Sequence, residues 1–120
     1  MKAEIKAHEL MLGNLLKYVN GENIFKVIGI HEFGIDCEDE IETTYMEYEN
    51  FEPIPLTEEW LVRMGAKKQS LHYYKIKGII ISVEDFFFEC YLGSINLPIK
   101  YVHTLQNVFY TLTNEHLTIK

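Results

Sequence analysis

Basic residues are missing from the middle of this sequence: no lysine or arginine lies between Lys26 and Arg63, while eleven acidic residues accumulate from Glu32 to Glu59. Such a stretch repels phosphate, and it makes the formal net charge of −7 a local property of the chain. Cysteine is also scarce. Cys37 and Cys90 stand far apart without a C-x-x-C spacing, which excludes a disulfide framework and a zinc knuckle and fits reduced thiols. Long apolar runs are absent; residues 78–83 and 86–88 reach only strand length, against about 20 residues for a membrane-crossing helix. The first six residues mix charges and lack the apolar block of a secretory leader, so the expected location is cytoplasmic and no membrane partner is expected. Serine occurs only at Ser70, Ser82 and Ser94, none of them in a G-x-S-x-G turn, which argues against a serine hydrolase.

What is present is enough for one core. A chain of 120 residues that is 48% hydrophobic supports a single domain, 1–120, of α+β class. Residues 10–37 read as two strands and the start of a third. Asn20-Gly21 signals a type I′ hairpin between them, and Phe33-Gly34-Ile35 a second reversal. Gly-punctuated strands on tight turns predict a bent antiparallel meander like that of small SH3-like barrels. Residues 38–50 read as a further strand with one wet side. The prolines of 51–56 make that segment a connector. Thr57 is the expected cap of a short helix carrying Glu58 and Glu59 in its first turn and Trp60, Leu61 and Met64 on one face, with Gly65 as its stop. Residues 71–92 predict two or three antiparallel strands, bent at Gly78 and at Glu84-Asp85. Pro98 is expected to open a last helix over 99–111, with Val102, Leu105, Phe109 and Leu112 as its buried stripe. Asn114 would stop it, and Leu117 and Ile119 would add an edge strand.

Two stretches carry a resemblance. Phe51-Glu52-Pro53-Ile54-Pro55-Leu56-Thr57-Glu58-Glu59-Trp60-Leu61, and Ile99-Lys100-Tyr101-Val102-His103-Thr104-Leu105-Gln106-Asn107 with Leu112-Thr113-Asn114-Glu115, resemble short uncharacterised proteins of Bacteroidota and of their phages and integrated elements. The opening Glu9-Leu10-Met11-Leu12-Gly13-Asn14 is similar too. Thr104 and Asn114 stand where such proteins carry Gln and Gly. The resemblance implies a mobile-element setting and brings no activity, substrate or catalytic residue.

Chemistry-bearing patterns are few. His8, His31, His72, His103 and His116 show neither H-x-x-x-H nor H-E-x-x-H spacing, and the acidic group Asp36, Glu38, Asp39, Glu40 lacks the order of a calcium loop, so no metal or cofactor is implied. A cysteine brought to a histidine by folding would form a thiol–imidazole pair, but a strand cysteine is more often a small buried hydrophobe. Two surfaces hold recognition chemistry. In the last helix Lys100, His103, Asn107 and Tyr110 fall together, with Tyr101 and Gln106 at the margins, offering imidazole, amide and phenol groups on a rigid element. The acidic group at Asp36 to Glu40 offers a contact surface for a basic protein.

The reading that follows is a small non-enzymatic protein-interaction module of mobile-element origin acting on a host protein. One alternative is a nucleic-acid binder using an SH3-like sheet and the basic, aromatic-interleaved 63–77 segment. Another is a small-ligand-binding or sequestering protein with a pocket around Tyr101, His103 and Asn107.

Overall fold

The computed structural model describes residues 5, 7–84, 87–92, 94–117 and 119, the side chains of Phe87, Leu92 and Ile95 excepted. In chain order its elements are β1 (Leu15–Tyr18), β2 (Ile24–Ile30), β3 (Gly34–Glu38), β4 (Thr43–Glu47), β5 (Phe51–Glu52), α1 (Glu58–Arg63), β6 (Lys67–Ser70), β7 (Tyr73–Ile76), β8 (Ile79–Glu84), β9 (Phe87–Leu92), β10 (Ile95–Ile99) and α2 (Val102–Thr113). Short 3-10 turns cover Ala7–Glu9 and Tyr48–Asn50. The fold is α+β, with every strand pairing antiparallel, in two five-stranded sheets. Two compact units divide the chain: Met1–Ile54 with Tyr101–His116, and Pro55–Lys100 with Leu117–Lys120.

The first unit holds the sheet β4-β3-β2-β1-β5, a four-stranded meander whose fifth strand returns to pair with the first. Alternation sets its inner face: Leu16, Phe25, Val27, Ile35, Cys37 and Phe51 are buried together with Ile5 and Leu10. Each large side chain removed from water there contributes about 1.5–3 kcal/mol. Aromatic edges lock the cluster. Tyr18 meets Phe25 at 4.9 Å, Phe25 meets Phe51 at 5.9 Å, and Tyr48 meets Phe51 at 5.4 Å between ring centroids. Two in-register pairs, Lys17–Glu52 and Lys26–Glu38, close as ion pairs of 3.1 Å across neighbouring strands.

Several boundaries differ from those expected. The 51–56 connector begins as strand, since Phe51 and Glu52 pair with β1 before Pro53 ends the ladder. Residues 11–14 form a tight turn in which the Asn14 side-chain oxygen accepts from the Met11 N–H at 2.8 Å, so β1 starts only at Leu15. Asn20 takes φ +58° but Gly21 stays outside the positive-φ region, so the β1–β2 connection is not a type I′ turn. That geometry sits instead at Lys77 (φ +43°) and Gly78 (φ +85°), the two-residue link between β7 and β8.

The second unit holds β6 to β10 in sequential order, a simple meander, with α1 before it. Thr57 caps α1 as expected: its hydroxyl oxygen accepts the Trp60 N–H at 3.2 Å, and Trp60, Leu61 and Met64 are buried. Gly65 at φ +92° ends the helix. Tyr74 ties β7 to α1 by donating its hydroxyl to Glu58 at 2.9 Å. Five strands stand where two or three were expected, because β6 and β10 lack the apolar alternation of a half-buried strand. Pro98 does not open the last helix; it lies in β10, an edge strand, where a missing N–H donor does no harm. Helix α2 starts at Val102, and Asn114 at φ +60° stops it as expected. Leu112 is 40% exposed and falls off the buried stripe of Val102, Leu105 and Phe109. Leu117 and Ile119 form no strand. The expected bend at Glu84-Asp85 falls partly outside the described residues.

Candidate functional site

The amides of α2 turn inward. Gln106 accepts the Leu15 N–H at 2.8 Å and donates to the Gly13 carbonyl at 3.1 Å. Asn107 accepts from Asn14 at 2.7 Å and donates to the Glu9 carbonyl at 2.8 Å. Both side chains thus serve the turn that leads into β1 and its first residue, satisfying groups that burial would otherwise leave unpaired. His103, expected on a polar helix face, is 3% exposed, and its Nδ1 finds no hydrogen-bond partner among the described residues. Burial pushes its pKa down to about 4, so the ring is neutral at pH 7. Tyr101 is the N-cap residue of α2 and stacks on His103 with centroids 5.9 Å apart, while Tyr110 packs on His116 at 4.5 Å. Lys100 precedes the helix. The polar residues of α2 hold the first unit together rather than present an open face, and a sequence pattern does not distinguish an inward amide from an outward one.

The acidic group lies elsewhere, on the outer side of β2, β3 and β4. Register places Lys26, Glu38 and Thr43 in one cross-strand row and Gly29, Asp36 and Tyr45 in the next. A β-bulge between Val27 and Gly29 shifts the register there and carries Gly29 opposite Asp36. Two glycines make room on this face. A Cβ on Gly29 would stand 2.8 Å from Asp36 Oδ2, and one on Gly34 would meet the Met46 carbonyl and stand 2.6 Å from the Tyr45 hydroxyl. The Tyr45 ring therefore lies over Gly34, and the Asp36 carboxylate over Gly29.

His31 completes the cluster. Its Nε2 is 2.8 Å from Asp36 Oδ2, its ring centroid is 5.9 Å from that of Tyr45, and its carbonyl accepts the Tyr48 hydroxyl at 2.7 Å. Phe33, at the tip of the β2–β3 reversal, is 70% exposed, and Tyr45 is 50% exposed. Ile28, Ile30 and Ile41 are exposed as well. Asp39 organises the β3–β4 turn by accepting the Ile41 and Glu42 N–H groups at 2.8 and 2.9 Å and the Tyr18 hydroxyl at 3.2 Å. Those hydrogen bonds, led by the backbone donor of Glu42, lower its pKa. Glu40 is exposed at the same turn.

Charge divides with the two units. The first holds thirteen Asp and Glu against four Lys, a formal −9, and the second holds five against seven Lys and Arg, a formal +2. Lys17 and Lys26, the described lysines of the first unit, both serve ion pairs with neighbouring strands. Cys37 and Cys90 are buried; burial raises both thiol pKa values, and nearby Asp39, Asp36 and Glu42 raise that of Cys37 further. Neither sulfur is set up as a thiolate nucleophile. Among the described residues no group of three or more His, Cys, Asp or Glu side chains is arranged to hold a metal ion, and no helix is long and apolar enough to cross a membrane.

His31 and Tyr45 escaped the sequence reading because nothing in the order of residues announces a β-bulge. The glycines at 29 and 34 were the available signal: each lies opposite or beside a side chain that needs its space. Compared with family models, curated proteins and solved structures, the chain matches none.

Proposed function

We propose that the first unit is a protein-interaction module whose outer β2–β4 face engages a basic, partly apolar segment of another protein. One observation carries this reading: carboxylates and exposed apolar side chains occur together on these strands and their turns, with Asp36 opposite Tyr45 in one cross-strand row, Phe33 in the turn at one end of β3, and Asp39, Glu40 and Ile41 in the turn at the other. Carboxylates select a cationic partner and speed encounter, while aromatic and aliphatic contacts lengthen the life of the complex. The Asp36 carboxylate beside the Tyr45 ring suits a lysine or arginine head group, which gains from both the charge and the ring face.

The strand order β4-β3-β2-β1-β5, with a 3-10 turn just before the returning strand, supports an SH3-like reading of this unit. The likeness of residues 51–61, 99–107 and 112–115 to element-borne Bacteroidota proteins favours a host protein as partner. The test is an array of Lys- and Arg-rich peptides carrying aliphatic residues, probed with the whole protein and with Asp36→Asn/Tyr45→Ala. Retention of peptides by the parent, weakened by salt and lost in the double variant, is expected. An array that retains nothing at low salt, or retains peptides equally with both proteins, overturns the proposal.

A further inference from the structure

Lys67 and Lys75 stand directly opposite each other on β6 and β7, and their row continues in register through Ile80 and Tyr91 to Asn96 across all five strands of the second sheet. Like charges directly opposite on one sheet face destabilise the pair. Neither lysine makes an ion pair among the described residues, and both are exposed. An exposed edge is often guarded by lysine, which accounts for Lys67 on β6. It does not account for Lys75, which lies on an interior strand. Two residues from Lys75 along β7, and so on the same face, Tyr73 is 47% exposed, and Ile80 between β7 and β9 is 42% exposed. Within the row Tyr91 donates its hydroxyl to Glu89 at 3.3 Å on the same strand.

We infer that this face binds single-stranded nucleic acid, with Lys67 and Lys75 on successive phosphates and Tyr73 as a stacking platform for a base. A phosphodiester would neutralise both lysines at once and remove the repulsion that the free sheet carries. Aromatic side chains accept any base on their faces, so sequence preference is weak. The unit that holds the face is net positive, against the acidic excess of the whole chain, and the carboxylates on this face, Glu84 and Glu89, lie on β8 and β9 away from the lysine pair on β6 and β7. The surface belongs to a different sheet from the β2–β4 face, and its test is independent of the peptide array.

The experiment measures fluorescence anisotropy of labelled oligothymidylate with the whole protein over a salt series, and uses inorganic polyphosphate as a base-free competitor. Binding at low salt should fall with a log–log slope of roughly −0.7 for each phosphate-contacting lysine. Lys67→Glu should weaken it about tenfold or more while melting no lower than the parent, because it converts a like-charge pair into an opposite one. Tyr73→Ala should weaken oligothymidylate roughly fivefold or more and leave polyphosphate unchanged. No complex at low salt, a complex indifferent to Lys67→Glu, or equal loss of both polyanions in Tyr73→Ala would each overturn the inference.

Discussion

Asn14 donates its side-chain amide to Asn107 at 2.7 Å although 93 positions separate them. Asn14 is 2% exposed and also accepts the Met11 N–H, while Asn107 passes its own donor to Glu9. Three hydrogen bonds in series, from Met11 through Asn14 and Asn107 to Glu9, therefore fix the turn at 11–14 to α2. The burial of Asn14 at the centre makes these bonds costly to lose.

Asn107→Leu strands two groups at once, the Asn14 amide and the Glu9 carbonyl. Leaving a buried polar group unpaired costs about 1–3 kcal/mol, so a loss of about 2–3 kcal/mol in urea titration is expected. Combined with Asn14→Ala, the total should fall short of the sum of the single losses, because both variants break the same bond. Strict additivity would show that the two amides act independently.

His103 sets an acid limit on stability. Its folded pKa of about 4 lies below the ordinary 6.5, so between those values the unfolded chain binds more proton. The neutral ring's contribution is complete above pH 6.5 and fades as pH falls toward 4. The full difference amounts to about 3 kcal/mol. Urea midpoints measured from pH 7.5 down to 4 should decline more steeply for the parent than for His103→Leu. Parallel declines would mean that the imidazole is protonated in the folded protein.

Gly34→Ala tests the seat of Tyr45. The added methyl meets the Met46 carbonyl, which belongs to the ladder and cannot turn aside, and the Tyr45 ring, which can. A loss of about 1–3 kcal/mol is expected on thermal or urea unfolding. Gly65→Ala makes a useful contrast, since no atom lies within 4 Å of its Cβ position and only the backbone angle, φ +92°, opposes it. The two variants should differ in one readout: Gly34→Ala alone should disturb peptide retention by the β2–β4 face.

Local signals were read well from the sequence where one residue decides one turn. Thr57 before Trp60, Gly65 and Asn114 each determine an end of a helix through their own backbone or hydroxyl, and each sits where expected. Pro98 was ambiguous: its fixed φ suits a helix start and an edge strand equally, and only the pairing of β10 with β9 decides between them. The acidic surface was legible as composition, because eleven carboxylates without a cation cannot all be buried. Its geometry was not legible, since the bulge at Val27 and Gly29 sets which side chains share the face. The inward turn of Gln106 and Asn107 was hidden for a related reason: apart from the Asn14 amide, their partners are backbone atoms at 9–15, which carry no residue identity.

The first unit is assembled from two stretches of chain with the whole run 55–100 inserted between them. During synthesis, β1 to β5 leave the ribosome long before α2, whose Gln106 and Asn107 secure residues 9–15. The intervening meander needs only neighbouring strands and closes early, since its pairings are local in sequence. The sheet β6 to β10 is thus encoded wholly ahead of the helix that seals the other one, and its strands leave the ribosome before Gln106 and Asn107 do.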